Sequence, residues 1–421
     1  MRMQLLFPKW PKLEHQTEFH LPPHGPVVFA AEMPEEVEID FIDDNVEEIQ
    51  FDATTDLVAI SAMLTCQLPR SFEIASRYRE LGVPVLFGGI AAQLHAEQVC
   101  QHADSVFLGE VEGRFSKVID DVKTGQLKKV YDYRNNYPDI SLVNTARRDL
   151  LKKELYNYRG VQMFELVHAS RGCKFDCFPC CVSYLGGRKF RARPIEKVIR
   201  EMESIDNNRL FIVDNSLAQD REWLIELFTA MAPLKKKWCS HPILYDSEIL
   251  KLAEKAGCWY VYQAIVNTSE VIRNRIKMLK DHGISIEGTV ILGTDDHDEN
   301  YIKRLVDFLV ENELDMAEFT ILTPFPHTPI RAQYEKQGRI LSNNWLDYTC
   351  DKVVFLPKHM TPEKLQELFH YSWQTFYSGS DYKLKMGELF RKVIEREIED
   401  GTHSRYDLRK KRSFNKRPKN E

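Results

Sequence analysis

The chain has 421 residues, 43% hydrophobic and 29% charged, with a formal net charge of −6. That length exceeds one ordinary core and implies two or three domains of a soluble globular protein. The acidic balance argues against a general nucleic-acid binder, whose footprint is basic, and no apolar run approaches a membrane span. The apolar piece Met3 to Phe7, stopped by Pro8 and Pro11, is too short for a secretion signal, so cytoplasm is the expected compartment. There, nine cysteines read as thiols or metal ligands and not as disulfides. Five stand singly (Cys66, Cys100, Cys239, Cys258, Cys350) and read as small buried hydrophobes.

Residues 1–130 alternate strand and helix signals. Val37 to Ile42 and Leu57 to Met63 are short apolar, β-branched runs. Ser71 to Leu81 has helical spacing and stops at Gly82; Val83 to Phe87 is a strand ending in Gly88-Gly89. A short helix, Ala96 to Ala103, leads to the strand Ser105 to Leu108, which ends at Gly109-Glu110, and Phe115 to Val122 is helical. Such alternation implies a doubly wound parallel sheet, with ligands beyond the carboxyl ends of its strands. Gly88, Gly89, Gly109 and Glu110 fall there, though tight turns alone would also call for the glycines. Residues 131–160 lose the periodicity and read as a linker.

From Val161 to about residue 345 the rhythm returns as six βα units, short of a closed eight-fold barrel but suited to a partial one. Its strands include Leu210 to Val213, ending in Asp214-Asn215, Trp259 to Val266, Ile284 to Leu292 and Ala317 to Leu322. Residues 346–421 read as helical over Thr361 to Tyr377 and Leu384 to Ile398. The aromatics Phe369, Tyr371, Trp373 and Phe376 suit helix core better than a ligand pocket. Arg405 to Glu421 is a basic, solvated tail.

Directly after the first apolar run of the six-unit region stands Cys173-Lys-Phe-Asp-Cys177-Phe-Pro-Cys180. Thiolates at C-x3-C-x2-C spacing suit zinc or an iron–sulfur cluster, and either is normally held by four ligands. Either a fourth ligand comes from elsewhere, with Cys181 the nearest thiol, or one iron is left open for a small molecule.

This loop, placed after the first strand of a six-unit βα region, resembles the radical S-adenosylmethionine (SAM) superfamily. The longer match, Ser170-Arg-Gly-Cys173 through Arg191-Ala-Arg-Pro194, resembles its branch with an N-terminal cobalamin-binding domain. So do Val58-Ala-Ile-Ser61, Gly82 through Ile90, Leu108-Gly-Glu-Val-Glu-Gly113 and Thr323-Pro-Phe-Pro326. The resemblance implies a cobalamin-binding-like sheet, a partial (β/α)6 TIM-like barrel and a helical C-terminal region. It implies that Cys173, Cys177 and Cys180 bind three irons of a 4Fe-4S cluster and that SAM chelates the fourth. Reductive cleavage of SAM would give methionine and a 5′-deoxyadenosyl radical that takes hydrogen from an organic small molecule. The electron donor would be a flavodoxin or ferredoxin. By position, Asp214 and Asn215 would lie near the SAM amino group, with a helix N-cap as the competing role for Asp214. Gly288 to Gly293 would lie along the adenine, with Ile291 packing on it or simply in the core. Tyr262-Gln-Ala-Ile-Val-Asn267 replaces the stretch with which the family contacts the ribose after the fourth strand, and Gln263 or Asn267 would stand in for it. Gly88, Gly89, Gly109 and Glu110 would contact cobalamin.

Two departures qualify the match. Pro179 replaces the usual aromatic before the third cysteine, and the D-x-H-x-x-G motif whose histidine binds cobalt is missing, the loop after Met63 reading Leu-Thr-Cys-Gln-Leu-Pro. The reading adopted is a radical SAM enzyme, a cobalamin-dependent methyltransferase, with cobalamin held without a protein cobalt ligand. The alternatives are a radical cyclisation or oxidation without cobalamin, or a non-catalytic metal-binding protein. A tRNA methylthiotransferase is set aside, because only Cys66 and Cys100 precede the loop and the C-terminus reads as helical.

Overall fold

The structure is a computed structural model that describes residues 1–15, 20–158, 161–378 and 382–402. Its first sheet has six parallel strands: β1 (Arg2–Phe7), β2 (Glu38–Asp43), β3 (Leu57–Ser61), β4 (Val85–Gly88), β5 (Ser105–Leu108) and β6 (Val130–Asp132), in the order β2-β1-β3-β4-β5-β6. Chain direction across the sheet reverses between β1 and β3, which opens a crevice beyond their carboxyl ends. Met3 to Phe7, too short to assign from sequence, is thus an interior strand and fully buried. Alternate residues feed two apolar layers. Leu5, Ala59, Leu86 and Phe107 pack with the helices His24–Ala30 and Phe115–Lys123. Leu6, Val58, Ile60, Phe87 and Val106 pack with Leu68–Glu80 and Ala96–His102.

The second sheet also has six parallel strands, paired in chain order: β7 (Glu165–Val167), β8 (Arg209–Ile212), β9 (Lys237–Ser240), β10 (Cys258–Ala264), β11 (Ser285–Leu292) and β12 (Met316–Ile321). Amphipathic helices between them cover the outer face, from Ile195–Ser204 to Glu299–Glu311, through residues such as Met202, Phe228, Leu250, Leu279 and Leu309. These are the six βα units of a partial barrel.

The C-terminal helices complete it. Pro362–Phe376 lies against β12, where the Trp373 and Phe319 rings meet at 5.7 Å. Just beyond it, Tyr377 donates its hydroxyl to the Ala317 carbonyl at 2.7 Å. Phe369, Trp373 and Phe376 are core residues. Tyr382–Glu399 crosses the amino end of the strands, where Arg209 and Glu397 form a fully buried pair at 2.6 Å and Phe390 packs on Phe164 and Trp259. With the amino end plugged, the open end is the carboxyl end of the strands, where this architecture places its chemistry. The basic tail from Arg405 lies outside the described residues.

Candidate functional site

The cysteine loop leaves β7 at this open end. Gly172 sits at φ +77°, and a Cβ there would stand 2.1 Å from the Lys189 carbonyl oxygen, so the glycine of Ser-Arg-Gly-Cys is required by close backbone approach. Cys173 is nearly buried while Cys177 and Cys180 are exposed. A turn closes the loop, with the Cys180 N–H donating to the Cys177 carbonyl at 2.8 Å. Burial raises the Cys180 thiol, and the neighbouring Cys177 and Cys173 thiols add to the effect. A cation among the three sulfurs would reverse that balance.

Gln219, from the segment after β8, holds the loop. Its Oε1 accepts the Lys174 N–H at 3.0 Å and its Nε2 donates to Cys173 Sγ at 3.2 Å. The neighbouring Asp214 is buried and accepts the Ala169 N–H at 2.7 Å and the Ser170 hydroxyl. Burial pushes its carboxyl up to about 6. It caps no helix: Asp220 does that for Arg221–Met231, accepting the Trp223 N–H at 2.9 Å. The alternative N-cap role for Asp214 is therefore corrected, because its side chain turns back under the loop.

The two sheets meet through charge. Ser170 and Arg171 pair antiparallel with Arg191 and Ala192. From this ribbon Arg171 reaches Glu110 at 3.0 Å and Glu112 at 2.6 Å, and Arg191 also binds Glu110. Burial opposes ionisation of Glu110, but Arg191 and Arg171 hold its carboxyl below the ordinary range. The third arginine, Arg193, donates to the His168 carbonyl and to Glu201, both at 2.7 Å, in a buried pair. Glu110 thus directs both oxygens at the barrel.

Beside this clamp is a cavity of about 340 Å³ between the sheets. Gly88, Gly89, Gly109 and Glu110 line it from the first sheet; His168, Asp214 and Asn215 line it from the barrel. Its floor is apolar, with Leu5, Ala59, Leu86 and Phe107. Gly89, at φ +92°, could carry no Cβ, which would meet the Ala62 carbonyl oxygen at 2.5 Å. His24 Nε2 and His168 Nδ1 are 2.8 Å apart at its wall, and His168 Nε2 is buried without a hydrogen-bond partner.

The barrel lumen is the third part. Along β11 the residues Glu287, Thr289 and Ile291 share one face, and Tyr260, Tyr262 and Ala264 of β10 and Glu318 and Thr320 of β12 share it by register. Toward the open end this face is uncovered: Ala264 and Glu318 are exposed and Ile291 is 36% exposed. Ile291 is therefore not packed in the core. The opposite face takes Gly288, whose absent Cβ points at Leu314 and Ile265, and Gln263 beside it, whose amide donates to the Ala264 carbonyl. Gly293, at φ +89°, turns toward Leu365 of the C-terminal helix. Of the residues expected around SAM, Asp214, Asn215 and Ile291 border open space. The side-chain directions of Gln263, Gly288 and Gly293 lead into the outer layer, as strand alternation dictates.

No family model matches the chain. It is 27% identical over 354 residues to the bacteriochlorophyllide d C-12(1)-methyltransferase of Chlorobaculum tepidum, covering 79% of this chain and 76% of that protein. It is 23% identical over 402 residues to the C-8(2)-methyltransferase of the same organism, covering 87% and 88%. Among solved structures, TsrM of Kitasatospora setae, a radical S-adenosylmethionine methyltransferase with cobalamin and a 4Fe-4S cluster bound, has the same fold. It matches with a TM-score of 0.66 over 94% of this chain and 99% of that one, at 14% identity. The chain is thus similar in sequence to these methyltransferases and shares the fold of a radical SAM methyltransferase that binds cobalamin and a 4Fe-4S cluster.

The sequence gives no sign of Gln219 or of the partners of Arg171, Arg191 and Arg193. Gln219 follows no spacing rule, since its contact with Cys173 is made only by folding. The arginines were visible as part of a motif, but Glu110 and Glu112, which meet Arg171 and Arg191, follow a strand of the other sheet, and Arg193 meets Glu201 of the next helix. The loop directly after Met63 holds no histidine, whereas His24 and His168 meet at the cavity from segments 144 residues apart.

Proposed function

We propose that this chain is a radical SAM enzyme that takes hydrogen from an organic small molecule and transfers a methyl group to it with the help of cobalamin. The observation that carries the reading is a loop of three thiols at the carboxyl end of β7, beside an open lumen. The donor set fits: Cys173, Cys177 and Cys180 would each hold one iron of a 4Fe-4S cluster, leaving one iron for the amino and carboxylate groups of SAM. When bound, the cluster supplies the electron that splits SAM into methionine and a 5′-deoxyadenosyl radical, and cobalamin carries the methyl group.

The chain's own residues orient and shield. Gln219 donates a hydrogen bond to the sulfur of Cys173, and a hydrogen bond of this kind favours the thiolate and tunes a bound cluster. Asp214 fixes the backbone at Ala169 and Ser170, with Asn215 beside it at the cavity edge, where both would face the SAM amino group. The cavity between the sheets fits cobalamin in two ways. Its strand-end glycines bring backbone to the wall without side chains, and His168 Nε2 is a buried polar atom left without a partner. Gly88, Gly89 and Gly109 would line the bound cofactor, while Glu110 would act through the arginines it holds. The pairs that Arg171 and Arg191 make with Glu110 and Glu112 keep the cavity and the cysteine loop in register.

A flavodoxin or ferredoxin would deliver the electron to the exposed side of the loop, and the cytoplasm would be the setting. No helix among the described residues is long and apolar enough to cross a membrane. The test is anaerobic reconstitution with iron, sulfide and cobalamin, followed by absorbance, cobalt content and 5′-deoxyadenosine formation from SAM under reductant. Formation of 5′-deoxyadenosine by protein that binds no cobalt would eliminate the methyl-transfer part, and no 5′-deoxyadenosine at all would eliminate the whole.

A further inference from the structure

Below the open end of the lumen lies a pair of carboxyls that neither the cysteine loop nor the clamp uses. Register sets Thr289 opposite Glu318 and Met316 opposite Glu287, so the two glutamates are diagonal neighbours on the inner face of β11 and β12. They differ in surroundings. Glu287 is buried and receives the Tyr260 hydroxyl, with Tyr262 as a second donor. Burial first, and Glu318 second, raise its carboxyl and favour the neutral acid. Glu318 has neither a hydrogen bond nor an ion pair among the described residues, although the barrel walls it in on every side except the lumen. Tyr262, Tyr377 and Tyr382 surround the pair, and the Phe211 ring stacks on Tyr262 at 5.6 Å. An acceptor facing open space inside an aromatic wall, with no cation on it among the described residues, lacks the partner that burial of such a group requires. Aromatic faces add attraction for a cation and none for an anion.

We propose that Glu318, backed by Glu287, is the substrate anchor of this lumen, and that it takes an N–H donor group, a protonated amine or a ring N–H, on a molecule with an apolar or aromatic body. A carboxylate in the same place would face two carboxyls and no cation among the described residues. The inference rests on the radical SAM reading only for putting the substrate in the lumen.

The test uses the full-length reconstituted protein without reductant and two matched probes, 4-phenylbutylamine and 4-phenylbutyrate, with affinities measured by calorimetry. The amine should bind at least about tenfold tighter than the carboxylate, the ratio that about 1.4 kcal/mol of differential contact gives. Glu318→Gln should collapse that ratio to near unity while keeping the thermal midpoint, and Glu318→Asp should restore part of it. Equal or tighter binding of the carboxylate, no binding of the amine, or a ratio unchanged in Glu318→Gln would each overturn the proposal. Failure to form 5′-deoxyadenosine from SAM overturns the radical reading instead and leaves the amine preference as a separate result.

Discussion

Both sheets of this protein are six parallel strands whose carboxyl ends border one cavity, yet they offer ligands different surfaces. In the first sheet both faces are packed with apolar side chains, so what it shows the cavity is its strand-end glycines, Gly88, Gly89 and Gly109, over an apolar floor of Leu5, Ala59, Leu86 and Phe107. In the second sheet only the outer face is packed; the inner face carries Glu287, Glu318, Tyr260 and Tyr262 around a lumen. The difference follows from strand order. A reversal beside the central strand gives a twisted sheet with a helix layer on each face, whereas sequential order curls the sheet and leaves one face for a ligand. The first sheet can hold a cofactor only beyond its strand ends, while the barrel can enclose one.

The contrast can be broken most sharply at the loop that joins the two regions. Cys173→Ala, Cys177→Ala and Cys180→Ala should each lower 5′-deoxyadenosine formation by more than about 100-fold, a loss like that seen when an interaction central to a transition state is removed. Cys181→Ala should leave iron content and activity near wild type. Iron and sulfide analysis with product quantification checks both, and loss of the cluster in Cys181→Ala would overturn the three-thiol assignment.

Next in size is Arg193→Ala, which leaves the buried Glu201 with one of its two cations removed and should cost about 3–5 kcal/mol in denaturant unfolding. Arg148 also reaches Glu201, at 2.7 Å, and would soften the loss. Glu110→Gln should cost less, about 1–2 kcal/mol, because the pair is partly open and Glu112 still holds Arg171. Its larger effect should be on the joint between the sheets, read as a drop in cobalamin affinity with the cluster retained. A unit in which the sheets dock independently of Glu110 would show neither change.

The smallest effect is in pH. Burial raises Asp214 from 3.8 to about 6, so the folded protein holds this proton more tightly than the unfolded chain does. Stability should therefore fall as pH rises from about 4 to about 6, with the Asp214 contribution flat above that range. Asp214→Asn should remove that part of the slope. Unfolding free energies of both proteins at several pH values give the comparison, and an unchanged slope would mean that Asp214 is ionised throughout.

Much of the fold was legible because strand and helix periods differ and glycines mark strand ends. The three thiols were legible because their spacing is local. Met3 to Phe7 was not, since so short a run carries too little periodicity to distinguish strand from other buried segments. Gln263 and Gly288 could be placed on the right strands, but nothing local told which face they would take. Asp214 fell at the right strand end, yet its partners Ala169 and Ser170 lie 45 and 44 residues away.

By itself, then, the sequence determined the order of elements, the two-sheet plan and the three-cysteine loop, because each depends on residues close together in the chain. Tertiary structure alone decided that Glu110 clamps Arg171 and Arg191, that Gln219 holds Cys173, that His24 meets His168, and that Glu318 faces an open lumen without a partner. These depend on which strand faces pair across the fold, and burial and charge act on distance in space, not on separation along the chain.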